Sequence, residues 1–130
     1  MHPILERFQE AQTRSSKGLN CIGAVFYLVD LDSVERFRKP GVIERYDPRI
    51  RRVPRFEDAD IVGYGPIGAL ACRFQKGYVF HLMVIHPHDR TKIIEREERD
   101  QKMKISYIAP YLDWLQLSFQ YDPVFFAVER

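Results

Sequence analysis

The sequence predicts an α+β domain, with helices in its first third and antiparallel strands behind them. Ile4, Leu5, Phe8 and Ala11 recur at helical spacing, and a second apolar run from Ile22 to Leu31 follows a glycine-marked turn. Beyond Pro66 the period changes, and short stretches of branched and aromatic residues alternate with turn residues. The chain has 130 residues, 45% of them apolar and 29% charged, which suits one domain with a single core (residues 1–130) and excludes a disordered or fibrous chain.

The first helix follows Pro3 and ends near the polar stretch Thr13 to Lys17. The second starts at about Asn20, whose side chain is suited to an N-cap, and Asp32-Ser33-Val34-Glu35 offers a second capping signal that would divide the segment into two helices. From Lys39 to Pro66 the prolines, glycines and five arginines (Arg45, Arg49, Arg51, Arg52 and Arg55) read as a long irregular connection. Ile67 to Phe74 and Tyr78 to Ile85 read as two strands joined by the loop Gln75-Lys76-Gly77. After a turn at His86 to Arg90, Thr91 to Glu95 forms a third strand and Ile105 to Ile108 a fourth, with the charged run Arg96 to Lys104 between them. Tyr111 to Leu117 reads as a short helical turn holding a cluster of Tyr111, Trp114 and Leu115. Val124 to Val128 is the last strand, with Pro123 tolerable at its start.

Cys21 occupies the most informative position. In Gly18-Leu19-Asn20-Cys21-Ile22-Gly23 the thiol falls in the first turn of a buried helix, where unpaired backbone N–H groups and the helix dipole favour a thiolate. That position suggests a nucleophile. Cys72, between Ala71 and Arg73 in a predicted strand, reads as structural. Two cysteines and an amphipathic N-terminus, rather than an apolar leader, predict a cytoplasmic protein with reduced thiols. The net charge of +2 is too small to imply a nucleic-acid partner, and no apolar run is long enough to span a membrane.

A nucleophilic thiol needs a base, and the strand pattern provides one. A turn centred on His88 sets Ile85 opposite Thr91 and, in the same register, His81 directly opposite Glu95 on one face of the ladder. A carboxylate beside an imidazole fixes its tautomer and stabilises the imidazolium. Glu97 is the fallback carboxylate, reached diagonally, while a one-residue slip would bring Arg96 opposite His81 instead.

With these residues in place the chain resembles the NlpC type of papain-like cysteine peptidases. Gly18-Leu19-Asn20-Cys21-Ile22-Gly23 is similar to that family's Gly-x-Asp-Cys-Ser-Gly, with Asn for Asp and Ile for Ser. Pro66-Ile67-Gly68-Ala69-Leu70 looks like its Pro-Gly-Asp-Leu, and His81-Leu82-Met83-Val84-Ile85 like the strand that opens with the catalytic histidine. The resemblance implies a papain-like fold, with N-terminal helices packed on an antiparallel, partly closed sheet. It implies a hydrolase that cleaves a peptide or other amide through a thioester, with Cys21 as nucleophile, His81 as base and Glu95 as the orienting group. The backbone N–H of Cys21 and the Asn20 side chain would hold the oxyanion, and no cofactor or metal would be required. The family's upstream tyrosine near the substrate has no counterpart in the N-terminal segment.

Two other readings use the same residues. A papain-like binding or scaffold domain without turnover would accommodate the altered positions Asn20, Ile22 and Ala69. A metal hydrolase would draw ligands from His81, His86, His88 and Asp89. The arginines between 45 and 55 are either a solvated face or a site for an anionic substrate. Oligomeric state and substrate identity are not encoded in these patterns.

Overall fold

The computed structural model describes residues 1–110, 112–113 and 121–129, the side chains of residues 68 and 69 apart. Its elements run α1 (Pro3–Gln12), α2 (Cys21–Leu28), β1 (Ile50–Val53), β2 (Ile61–Pro66), α3 (Gly68–Ala71), β3 (His81–Ile85), β4 (Lys92–Glu95), β5 (Lys104–Tyr107) and β6 (Tyr121–Val128), with short 3-10 turns at Ile43–Arg45 and Phe56–Asp58. The six strands form one antiparallel sheet in the order β1-β6-β2-β3-β4-β5. The α+β expectation therefore holds.

Strand alternation sorts the side chains onto two faces. Leu82, Val84, Ile94 and Phe126 face one way and pack with Ile22, Val25, Phe26 and Leu28 of α2, so the helix carrying Cys21 is seated on this face. Val53, Val62, Met83, Ile85, Ile93 and Ala127 form the second core, packed with Ala59 and Ile108. By the same alternation His81 and Glu95 belong to this second face. The sheet is open rather than partly closed: β1 and β5 are its edges, at opposite ends of the strand order. Each is only four residues long, a form that limits unwanted edge pairing.

Four expected elements differ. α2 ends at Leu28 because Asp30 takes a left-handed conformation (φ 63°) and the N–H of Leu31 turns back to the Phe26 carbonyl. Asp32 binds Arg36 and Arg38 instead of capping a further helix, and residues 32–38 run as a non-helical strap. The segment from Lys39 to Pro66 is not irregular throughout, since it contains β1 and β2. In β1 only Ile50 and Val53 are buried, and two exposed arginines between them mask the strand signal. Ile67 to Phe74 is not a strand: it holds the short helix α3 and the turns after it, as its Ala-Leu-Ala content allows.

The last strand extends back to Tyr121. Pro123 lies where β6 pairs with β2 but not with β1, which spares the sheet a missing N–H on one side. Ala109, Pro110, Leu112 and Asp113 are helical, in keeping with the expected turn, whereas Tyr111, Trp114 and Leu115 lie outside the described residues. Among the described residues no helix is long and apolar enough to cross a membrane.

Candidate functional site

Asn20 begins the site. Its backbone is extended, its side-chain oxygen accepts from the Gly23 N–H at 3.2 Å, and the first helical bond runs from Ala24 N–H to the Asn20 carbonyl. The Cys21 N–H therefore precedes the helix ladder and has no partner within it. Glycine at position 23 is required by space, since a Cβ there would meet the Arg36 carbonyl oxygen at 1.8 Å. Cys21 is half-buried, and its sulfur lies 3.8 Å from the Phe80 carbonyl oxygen.

Phe80 is followed by His81, the first residue of β3, and here the sequence reading meets the structure most closely. His81 Nε2 lies 3.2 Å from Glu95 Oε2, both side chains being buried, and Cys21 is near enough to act on the charge of the ring. Burial alone would discharge the ring. Cys21 and the Glu95 carboxylate outweigh it and push the pKa from 6.5 up to about 9.

The pairing of His81 with Glu95 is reached through a different register from the expected one. The ladder sets Ile85 opposite Ile93 and Val84 opposite Ile94, two residues away from the pairing of Ile85 with Thr91. A slip of two preserves the face of every side chain. In this register Glu95 is the diagonal neighbour of His81, and Glu97 lies past the end of β4. Glu97 is instead ion-paired with Lys104.

Tyr64 is the site residue that sequence reasoning missed. On β2 it lies opposite His81, and its ring stacks on the imidazole with centroids 5.5 Å apart and planes 28° from parallel. Burial, with the charges of Cys21, Tyr121 and Glu95, pushes its pKa up to about 12, which keeps the hydroxyl protonated. A readable signal existed in Gly63-Tyr64-Gly65, because glycine within an apolar strand marks close backbone approach. A Cβ at 63 would meet the His81 carbonyl oxygen at 2.2 Å, and one at 65 the Tyr78 carbonyl oxygen at 2.3 Å.

A cleft of about 470 Å³ opens on the second face, lined by Tyr64, His81, Glu95, Glu97, Lys104 and Tyr107 among others. Two of the three predicted catalytic residues line it. Cys21 does not, and reaches His81 from the helix that covers the other face.

Asn20 is the expected N-cap and also holds the strap. Its amide nitrogen donates to the Arg38 carbonyl at 2.6 Å, and its oxygen accepts from the Arg38 N–H as well as from Gly23, so the side chain ties the helix start to the strap. The histidines at 81, 86 and 88 do not converge. His81 and His86 stand at the two ends of β3, about 16 Å apart at the ordinary strand rise, and among the described residues no group of three or more potential ligands gathers. Four of the five arginines between 45 and 55 meet carboxylates: Arg49 with Asp47, Arg51 with Glu129, Arg52 with Glu44 and Arg55 with Asp58. Cys72 is exposed and lies just past α3, outside any strand. Neither a protein-family model nor a curated protein or solved structure matches this chain.

Proposed function

We propose that the chain is a thiol hydrolase of the NlpC-like, papain-like kind, cleaving a peptide or other amide bond through a thioester on Cys21. The observation that carries this reading is the buried pair of His81 and Glu95 beside Cys21, whose sulfur lies 3.8 Å from the carbonyl oxygen of Phe80, the residue before His81. In the proposed reaction His81 holds the thiol proton and Cys21 Sγ adds to the substrate carbonyl carbon. The resulting oxyanion accepts from the Cys21 backbone N–H, with the second N–H of the Asn20 amide as a further donor beside its bond to Arg38. As the C–N bond breaks, His81 passes its proton to the leaving amine. Water, deprotonated by His81, then attacks the thioester and releases the acid and the thiol. Glu95 holds the ring throughout, and the Tyr64 ring packs against it. The two free thiols suit a reducing compartment, and we assign the reaction to the cytoplasm.

A second reading, a papain-like binding domain without turnover, is favoured by one observation: Cys21 is absent from the lining of the cleft. One experiment separates the two. The protein is incubated with a panel of fluorogenic peptide amides while intact mass is followed for an acyl adduct. Turnover that falls by about 10²-fold or more in His81→Ala, and an adduct lost in Cys21→Ser, support the hydrolase. Binding of a panel member in the cleft with neither adduct nor turnover would establish the binding domain instead.

A further inference from the structure

Arg96 is the largest fully buried side chain among the described residues, at 1% exposure, although it opens the charged run Arg96 to Lys104. Its guanidinium grips Glu35 in a bidentate ion pair, with Nη2 at 2.8 Å and 3.0 Å from the two carboxylate oxygens and Nε at 3.2 Å from one of them. Glu35 is 8% exposed at its side chain. A third contact runs from Arg96 Nη1 to the Gln101 carbonyl. A buried pair of this kind contributes little net stability, because desolvation offsets most of the attraction. Its role is better sought in what it joins.

Arg96 follows Glu95 directly, just past the end of β4, and the two side chains part: Glu95 meets His81 and Arg96 meets Glu35. Glu35 sits in the middle of the strap. From there the strap reaches the nucleophile's helix by three further contacts. The Arg36 carbonyl fills the space beside Gly23, the Arg38 backbone bonds both ends of the Asn20 amide, and the Arg38 guanidinium, held by Asp32, lies 4.8 Å from the Phe26 ring centroid. Along the chain and through these contacts, Asn20 and Cys21 are linked by way of Arg38, Glu35 and Arg96 to Glu95 and His81. Cys21 and His81 are on separate elements, and the strap connects them in addition to the packing of α2 on the sheet and the bond from Cys21 to the Phe80 carbonyl.

We propose that Arg96 and Glu35 are positioning residues, whose ion pair clamps the 32–38 strap across the start of α2 and so sets the Cys21 thiol against the His81 imidazole. The proposal rests on the hydrolase reading for its purpose, but its geometric content stands apart from turnover.

The test uses the full chain carrying Cys72→Ser, so that Cys21 is the only thiol. Two variants are compared with this parent: Glu35→Gln, which keeps the shape, and Glu35→Leu with Arg96→Met, which removes both charges and guards against unfolding from a lone buried guanidinium. Each is checked for a cooperative melt. Two readouts follow, the NMR titration of the His81 ring and the rate of Cys21 alkylation by iodoacetamide at pH 6.5, where thiolate is scarce in an ordinary cysteine. Folded variants should alkylate at least 5-fold more slowly, with His81 titrating lower by about a unit or more. A folded double variant that keeps the parent titration and alkylation rate would overturn the positioning role. Changed readouts in a parent that turns over no amide would uphold the clamp and count against the hydrolase reading alone.

Discussion

Burial opposes charge on His81, yet Cys21 and Glu95 raise its pKa from 6.5 to about 9. A group whose pKa is higher folded than unfolded stabilises the fold fully below the unfolded value and loses that contribution as pH rises through the folded one. The window here is pH 6.5 to 9. Across it the urea midpoint should fall, by an amount on the order of 1 to 3 kcal/mol in stability, and the fall should be largely absent in His81→Gln. A parent midpoint that is flat over this range would show that the imidazole is not held as the cation. At this scale Cys21 and His81 were legible because each has a local signature, a capped helix start and a strand opening. Arg96 and Glu35 were not, since nothing local relates two residues sixty-one positions apart.

Among the elements, α2 was legible at its start and misread at its end. Asn20 supplied the cap that sequence reasoning expected, whereas the left-handed turn at Asp30 depends on an aspartate tolerating a conformation that favours glycine. The β3–β4 register was two residues out, but the face of each side chain depends only on odd against even. The pairing of His81 with Glu95 therefore survived. Gly23 shows how packing overrides propensity. Alanine is better than glycine in a helix by about 1 kcal/mol, but its Cβ would collide with the Arg36 backbone. Gly23→Ala should accordingly lower stability by about 1 to 3 kcal/mol and slow Cys21 alkylation, since the strap must move. A melting point at or above that of the parent would mean that the strap yields without cost. Asn20→Ala should also destabilise, by about 0.5 to 2 kcal/mol through the lost cap.

The architecture of the whole molecule was the least legible level, because the final strand pairs in the interior of the sheet. β6 lies between β1 and β2, joining Ile50 to Val128 and Ile61 to Phe126. Such pairings close long loops, and their register cannot be inferred from local pattern. Without β6, β1 has no neighbour and β2 loses one of its two. Phe126, fully buried, also packs in the core beneath α2 that supports Cys21, while Ala127 serves the opposite core. The C-terminal strand thus holds both layers and the candidate site together, although none of its residues belongs to the predicted triad. A Phe126→Ala substitution should cost about 3 to 5 kcal/mol, a large part of the 5 to 15 kcal/mol typical of a domain. A chain truncated after residue 120 should lose cooperative unfolding altogether. Urea denaturation followed by far-UV circular dichroism measures both effects, and Cys21 alkylation in the same samples reports the site. If the truncated chain still unfolds in one sharp transition with Cys21 as reactive as in the parent, the remaining strands would suffice, and the central place of β6 would be wrong.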